Sequence, residues 1–449
     1  MQKYLKESKT LIALGIPLIL AQLAQTSLGF TDTLMVGRLG KDALAAIALA
    51  SSFYFTVFSI FMGVLLAVGP MVGQAIGAKN NKEASRIVRQ GIWLAVIMSP
   101  IAIILLLAAK PLFLAMGQNP DTVSLSYGYL KAMSWGILPS FVFIALRSLL
   151  EGSANTKPIL VFSLMAVVIN VAANYLLIFG NFGFPKLGVV GSGYASSLVV
   201  WVNALVILGY ISRHYKRLGI IKNLRRPDFK TLKEILRVGT PIAMSISAEV
   251  GLFTAAALLM GLLGKDQLAA HQIALQTASI TFMVPLGLSI AISIRVGQAV
   301  GGKDYLAARL SGYVGIILSV MFMTLTALTF WLLPKTIVAA YLDINNPNNI
   351  DVAGFAISFL SVAGMFQLFD GLQVSATGAL RGFKDTKTPM FITLFAYWII
   401  GLSSSAFLAF YLKLGGKGLW LGLAAGLAVA AILLNWRFAK LTSHYLKAN

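Results

Sequence analysis

Long apolar segments are the feature that most limits what this chain can fold into. Twelve stretches of about 20 or more residues are apolar enough to cross the roughly 30 Å hydrocarbon layer of a membrane as helices. They lie near residues 10–37, 43–76, 88–109, 122–150, 158–180, 188–212, 233–262, 267–300, 306–333, 352–380, 388–412 and 416–439. Because lipid offers no hydrogen bonds to the backbone, such segments must be helical. The sequence therefore predicts an all-α membrane protein with twelve transmembrane helices.

The distribution of basic residues predicts the orientation of these helices. The chain has 36 Lys and Arg against 15 Asp and Glu. With the N-terminus inside, 27 of the 36 fall on the inner side of the predicted spans, as expected for cytoplasmic loops. We expect both termini in the cytoplasm and attribute the basic excess to membrane topology rather than to nucleic-acid binding. The longest polar stretch, residues 214–232, is interpreted as a solvated basic linker near anionic membrane lipids.

An internal repeat relates the two halves of the chain. Residues 39–42 and 263–266, which are 224 positions apart, both read Leu-Gly-Lys-Asp, and Gly-Gln-Ala at 73–75 recurs at 297–299. A looser match at an offset of 230 pairs Gly152 with Gly382. Each half holds six predicted spans, so the repeat is parallel, with a pseudo-twofold axis along the membrane normal and a cavity between two lobes. The predicted domains are an N-lobe over 1–213, a cytoplasmic linker over 214–232 and a C-lobe over 233–449.

Three carboxylates, Asp32, Glu249 and Asp370, lie inside the apolar segments. An ionised group near the bilayer centre costs about 3 kcal/mol even on lenient scales, and such residues usually line ion or substrate pathways. The repeat does not duplicate them, which favours a functional role over a structural one. A proton, Na⁺ or a cationic substrate can each neutralise a carboxylate, so competition between ion and substrate would couple their movements in opposite directions. The alternative is an acid satisfied by a nearby hydroxyl or Arg.

Other polar and aromatic residues extend these candidate sites. Asn170 and Asn174 are one turn apart on one face of the fifth span. They either complete an oxygen cage with Asp32 or form ordinary hydrogen bonds between helices. Phe366 lies one turn before Asp370, where its ring can attract an organic cation, although packing is the commoner role of such rings.

Pro17 and Pro241 occupy equivalent positions in the repeat. Each removes a helical hydrogen bond and forms either a hinge or a fixed bend. The sequence contains no HExxH zinc motif, phosphate-binding loop or serine-centred elbow, so neither ATP-driven transport nor hydrolysis is supported. We predict a transporter rather than an enzyme, with no cofactor and with energy from an ion gradient.

In their order and spacing, these residues resemble the multidrug and toxic compound extrusion (MATE) family, particularly its NorM-like bacterial branch. The resemblance spans nearly the whole chain and rests on Gly15-Ile16-Pro17, the run Asp32-Thr33-Leu34-Met35-Val36-Gly37, the repeated Gly-Gln-Ala motifs, Glu249 and Asp370. It implies a V-shaped, multi-pass exporter in the bacterial inner membrane that exchanges Na⁺ or H⁺ for cationic amphipathic drugs. We expect a monomer.

The same resemblance implies two cation sites, each able to hold Na⁺. One would be formed by Glu249 and Asp370 in the second lobe, and the other by Asp32, Asn170 and Asn174 in the first. Some relatives carry a tyrosine one turn before the acid of the tenth span, where this chain has Phe366. The missing hydroxyl bears on whether the ion is Na⁺ and on how it is bound.

Two other functions compete with export. A flippase for lipid-linked saccharides would need arginines in its cavity for an anionic pyrophosphate, whereas Arg147 and Arg295 fall near cytoplasmic helix ends. An intramembrane hydrolase would use Glu249 and Asp370 as a dyad, which requires the two carboxyl groups to lie within hydrogen-bonding distance.

Overall fold

The chain folds almost entirely into helices in a computed structural model that describes residues 2–220, 224 and 227–448. The first half contains α1 Gln2–Gly37, α2 Lys41–Leu65, α3 Val68–Gly77, α4 Asn81–Leu107, α5 Ala109–Ala115, α6 Pro120–Ser134, α7 Ile137–Gly152, α8 Lys157–Phe179 and α9 Val189–His214. The second half contains α10 Phe229–Leu262, α11 Lys265–Gly301, α12 Tyr305–Leu332, α13 Pro334–Ala339, α14 Ile350–Gly382, α15 Lys387–Leu394, α16 Ser403–Ala406 and α17 Gly415–Ala448. No β-strand occurs in these ranges, and the predicted all-α fold is confirmed.

The number of spans agrees with the prediction once one broken helix is recognised. Among the described residues, eleven helical segments are long and apolar enough to cross a membrane, and α6 with α7, bent by 46°, makes twelve when the pair is taken as one span. The bend lies inside the span predicted as continuous over 122–150. Trp201 Nε1 donates a hydrogen bond of 3.0 Å to the carbonyl of Trp135 at the break. Because a freed backbone group keeps a partner, the membrane tolerates the bend.

The sequence repeat is also a repeat of local structure. Asn80 precedes α4 and Asp304, 224 residues later, precedes α12. Each side chain accepts a hydrogen bond from the backbone N–H three residues on, at 3.0 Å and 2.9 Å, and so caps its helix. The lysines just before these caps, Lys79 and Lys303, both adopt left-handed backbone conformations, with φ of 56° and 60°. The two halves therefore share turns as well as helices.

The compact units of the fold differ from the predicted lobes. The N-unit is Leu20–Ala243, and the C-unit is Met1–Ile19 with Met244–Asn449. Both α1 and α10 therefore contribute their first part to one unit and their second part to the other. The predicted boundaries at 213 and 233 had placed each of these helices wholly in one lobe.

Close helix packing explains why α1 and α10 are divided in this way. In the N-unit, a Cβ atom on Gly63 would lie 2.5 Å from Cα of Ala243. In the C-unit, a Cβ atom on Gly287 would lie 2.8 Å from Cα of Ile19. Gly287 lies 224 residues after Gly63, and Ala243 lies 224 residues after Ile19. The two contacts are therefore equivalent in the repeat. Because both glycines lack a side chain, each dividing helix packs directly against its neighbour's backbone.

The segment predicted as a solvated linker lies partly against α4. Ser85 Oγ donates a hydrogen bond of 2.7 Å to the carbonyl of Leu218, and Trp93 Nε1 donates one of 3.0 Å to the carbonyl of Leu224. These bonds fix two points of the linker backbone to one helix. Residues 221–223 and 225–226 of the predicted linker lie outside the described residues.

The end of the linker is fixed in the same way. The backbone N–H of Asp228 donates to Oε1 of Gln90 at 2.9 Å. The Asp228 carboxylate accepts a hydrogen bond of 2.7 Å from the Thr231 hydroxyl, which holds the pKa of this carboxyl below its ordinary value. The linker backbone is therefore held against the N-unit at these positions, while its basic side chains Lys216, Arg217 and Lys230 are exposed.

Candidate functional site

Helices α1, α8 and α9 bring a buried carboxylate, two amides and a hydroxyl together in the N-unit. Oδ1 of Asp32 accepts hydrogen bonds from Nδ2 of Asn170 at 3.0 Å and of Asn174 at 2.6 Å. Oδ2 of Asp32 accepts a bond of 2.7 Å from Oγ of Ser196. The sequence predicted the grouping of Asp32 with both amides. It missed Ser196, because a serine in a span has no spacing relation to an acid on another helix.

The chemistry of this N-unit cluster suits a small cation. Nδ2 of Asn174 also donates to Oδ1 of Asn170 at 3.2 Å, while Oδ1 of Asn174 is buried without a hydrogen-bond partner among the described residues. A half-turn of an amide exchanges its NH₂ group for its oxygen. The cluster can therefore present carboxylate, amide and hydroxyl oxygens, which are ligands for hard cations such as Na⁺. The arrangement observed, with both amides donating, is also a complete hydrogen-bond network for Asp32.

A second cluster lies in the C-unit around Glu249 of α10 and Asp370 of α14. Their charges are close enough to interact. Asp370 is 7% exposed and accepts one hydrogen bond, of 3.2 Å, from Nε2 of Gln373. Within the described part of the chain, Glu249 accepts no hydrogen bond, and none joins the two acids. Most oxygen lone pairs of this pair are therefore free to accept a proton or a cation.

Arg381 is a charged neighbour of this pair that the sequence analysis did not select. It lies in the last turn of α14, is partly buried, and its charge interacts with that of Glu249. From the sequence it was counted with the basic residues of a cytoplasmic loop, because the last turn of a span and the start of a loop look alike in composition. The cluster thus contains two acids and one base.

Tyr397 is a second neighbour that was missed. It is 1% exposed and interacts electrostatically with both acids of the pair. It belongs to a π-helical segment, Phe395–Leu402, in the eleventh span. Wider π turns change which side chains share a face, so spacing rules for an α-helix could not have placed it. The next residue, Trp398, donates from Nε1 to the carbonyl of Ala248 at 3.2 Å and holds this segment against α10.

The three predicted site acids differ in their partners from two other acids of the spans, Glu7 and Glu151. Glu7 accepts two hydrogen bonds of 2.9 Å from the guanidinium of Arg295. Glu151 accepts one of 2.7 Å from Nε of Arg147. Among the described residues, no ion pair with N–O distances up to 4.0 Å includes any of the three predicted acids. The charge of an acid paired with Arg is already compensated, whereas an acid without an ion-pair partner is available to a mobile cation.

Phe366 is 2% exposed and packed on two sides in the C-unit. Its ring meets the ring of Phe253 at a centroid distance of 6.3 Å and that of Trp420 at 5.5 Å, both edge to face. This geometry is typical of aromatic packing. A substrate contact by Phe366 stays a prediction.

Pro17 and Pro241 lie inside α1 and α10, as predicted. Each is two residues before the position where the chain passes from one compact unit to the other, at Ile19 and Ala243 respectively. The two positions are equivalent in the repeat.

In the described part of the chain, up to twelve spans in two repeated halves, with acids inside the spans that form no ion pair, define a multi-pass membrane transporter. The MatE family model matches residues 17–176 and 241–407, and the chain belongs to this family. It is a NorM-like MATE transporter and not an enzyme, and the resemblance inferred from the sequence is confirmed.

Individual relatives support this assignment over the full length. The chain is 43% identical to the "Probable multidrug resistance protein NorM" of Rhizobium meliloti (strain 1021), over 95% of this chain and 92% of the relative. It is 40% identical to the protein of that name from Synechococcus sp., over 98% and 95%. Its fold is similar to a multidrug resistance MATE family transporter of the MOP superfamily solved in an outward-facing conformation, with a TM-score of 0.90, 21% identity and coverage of 98% and 97%.

Proposed function

We propose that this protein is a cation-coupled antiporter that exports cationic amphipathic small molecules, including drugs, across the bacterial inner membrane by alternating access. Relatives named as multidrug resistance proteins support the substrate class. The excess of basic residues on one set of loops supports cytoplasmic termini. Inward movement of Na⁺ or H⁺ supplies the energy, about 2.3 kcal/mol per charge for each 100 mV of potential.

The observation that carries this proposal is the Glu249–Asp370 pair. Two carboxylates with interacting charges lie in two different spans, and among the described residues only Asp370 accepts a hydrogen bond. In a low-dielectric environment such a pair is stabilised by a bound cation. A proton or Na⁺ and a cationic substrate can each fill that role but cannot fill it together, and this exclusion couples their movements.

Each neighbour has a distinct part in the proposed exchange. Arg381 offsets one negative charge, so that a single cation suffices to neutralise the cluster. Tyr397 interacts electrostatically with both acids, and its phenol supplies a hydroxyl to this cluster that Phe366 lacks. In the N-unit, Asp32 with Asn170 and Asn174 provides a second cation site, where the amides turn their oxygens toward the ion.

The proposal is tested by dye efflux from proteoliposomes in which Na⁺ and proton gradients are imposed separately. We expect Glu249→Gln and Asp370→Asn to abolish coupled efflux because each removes a charge that the ion and the substrate share. Asp32→Asn is expected to reduce it. The gradient that drives wild-type efflux identifies the coupling ion.

Asp351→Asn is the matched control, since Asp351 is an exposed acid in the first turn of the same helix as Asp370. It is expected to transport like the wild type. Membrane insertion of every variant is checked by its yield and monodispersity in detergent. Normal efflux from both the Glu249 and the Asp370 variants would remove the mechanism proposed here.

Lipid-linked saccharide transport is the alternative function. Its pyrophosphate cargo needs unpaired arginines, yet Arg147 and Arg295 are bonded to Glu151 and Glu7. Arg381 forms no ion pair among the described residues, but its charge interacts with that of Glu249, which opposes the binding of an anion there. These pairings favour a cationic cargo.

A further inference from the structure

A basic pocket lies in the N-unit, where several spans end. Its volume is about 540 Å³, within the usual range for small-molecule sites. The ends of α3 and α9, the start of α4 and the short 3₁₀ turn Lys216–Leu218 enclose it. Its lining contains no acid and is made of Ile76, Asn81, Ala84, Ser153, Arg213, His214, Tyr215, Lys216, Arg217 and Leu218.

The charge of this pocket is positive and unpaired. Arg213, Lys216 and Arg217 form no ion pair with any acid that the structure describes. The last turn of α9 contributes the equivalent of about half a negative charge from its carbonyl groups. Three cations outweigh this, so the pocket keeps a net positive charge that suits an anion.

Comparison with the other half of the chain shows why the pocket is open. Under the 224-residue shift, Asn81 corresponds to Tyr305, and under the 230-residue shift, Ser153 corresponds to Phe383. In the C-unit both aromatic rings pack on Tyr445 of α17, at centroid distances of 4.8 Å and 5.5 Å. The N-unit has a small polar residue at each of these two positions. Space that aromatic rings fill in one unit is therefore left open and polar in the other.

The walls of the pocket are held in place. The hydrogen bond from Ser85 to the carbonyl of Leu218 fixes the 3₁₀ turn to α4, and Ser85 itself is 3% exposed. Nδ2 of Asn155 lies 3.3 Å from the hydroxyl of Tyr215 and links the α7–α8 turn to the end of α9. The basic side chains are thus carried on a backbone that is already ordered.

We propose that this pocket binds the phosphodiester headgroup of an anionic phospholipid. A basic pocket between spans at a membrane face is the usual form of such sites. Ile76 and Leu218, the apolar residues of its lining that are partly exposed, favour a lipid over free phosphate, because they offer a surface to the glycerol and upper acyl carbons. This site is separate from the two carboxylate clusters and does not depend on the proposed transport cycle.

Native mass spectrometry of the full-length protein, titrated with phosphatidylglycerol or phosphatidylcholine, tests the proposal. We expect one phosphatidylglycerol molecule to bind in preference to phosphatidylcholine. The triple variant Arg213→Gln, Lys216→Gln, Arg217→Gln should bind it at least about tenfold more weakly, since each base near a membrane surface contributes on the order of fivefold.

A second variant tests the cavity without changing its charge. Asn81→Tyr with Ser153→Phe restores the aromatic residues of the other half and should weaken binding to a similar extent. The control is Lys82→Gln, Lys230→Gln, Lys233→Gln, which removes three exposed charges of the N-unit outside the pocket and should bind like the wild type.

Three results would overturn the proposal. The first is undiminished phosphatidylglycerol binding by both pocket variants. The second is an equal loss in the control, which would indicate a diffuse charge effect. The third is displacement of the lipid by excess inorganic phosphate, which would identify free phosphate as the ligand.

Discussion

At the scale of single residues, a structural acid and a functional acid differ more in their bonding partners than in how deeply they are buried. Glu7 is 8% exposed and Asp370 is 7% exposed, yet Glu7 has a bidentate Arg partner and Asp370 has a single hydrogen bond from Gln373. Breaking a buried ion pair leaves a charge without compensation. Removing an unpaired charge instead removes the free-energy cost of burying that charge.

This difference predicts opposite effects on stability. Glu7→Gln should lower the free energy of unfolding by roughly 2 kcal/mol, because Arg295 loses its partner at a site that is partly open to solvent. Asp370→Asn should leave stability unchanged or raise it while abolishing efflux. Thermal unfolding of the purified proteins in detergent gives the comparison. A greater loss of stability in Asp370→Asn than in Glu7→Gln would contradict it.

The sequence could predict the acids of the candidate site but not all their neighbours. Asp32, Glu249 and Asp370 are conspicuous because charge is rare in spans. Ser196 and Tyr397 are ordinary residues of membrane helices, and only the packing of helices distant in sequence brings them to the acids. The sequence of one segment therefore identifies a charged residue in a span well, but it identifies poorly the residues that surround this charge.

At the scale of helices, the eleventh span departs most from regular geometry. It contains two π-helical stretches, Phe395–Leu402 and Phe407–Tyr411. Gly422 of α17 lies against this span, and a Cβ atom there would collide with the backbone of Ser405. Close contact with α17 thus supports the segment that carries Tyr397.

We therefore expect Gly422→Ala to destabilise the protein by about 1–3 kcal/mol, because the added methyl group overpacks a contact between two backbones. Gly209→Ala in α9 is the control, since a Cβ atom there would meet nothing within 4 Å. The readout is the melting temperature in detergent, with efflux as a second measurement. Equal melting temperatures for the two variants would refute the packing argument.

Helix prediction from the sequence was accurate where hydropathy alone decides. All twelve spans were placed, since lipid demands long apolar helices. The bend between α6 and α7 was missed. The carbonyl of Trp135 at this bend accepts a hydrogen bond from Trp201, and a contact between residues 66 positions apart leaves no local signal in the sequence. The π turns were missed because nothing in local composition marks them.

At the scale of the whole molecule, α1 and α10 are the helices shared by the two compact units. Their prolines stand two residues before the change of unit in both cases. A missing backbone hydrogen bond at such a position lowers the cost of bending the helix there. The hinge interpretation therefore applies to the two places where the chain passes from one unit to the other.

Pro17→Ala and Pro241→Ala are predicted to slow efflux several-fold, and the double variant more strongly, with little change in melting temperature. Pro100→Ala is the control, because Pro100 lies inside α4, which belongs to a single unit. Initial rates of dye efflux at saturating ion gradient give the comparison. Should Pro100→Ala slow efflux as much as the other two, the hinge role would be lost and a general requirement for bent helices would replace it.

The glycine contacts of Ile19 and Ala243 have a further consequence for the origin of the fold. Since each half of the chain completes its compact body with a helical segment from the other half, a six-helix ancestor with this packing could not have been self-sufficient. Two copies would have exchanged their first helices, as in a domain-swapped dimer. A fusion of two such genes would give the covalent link between mutually dependent halves that this chain has.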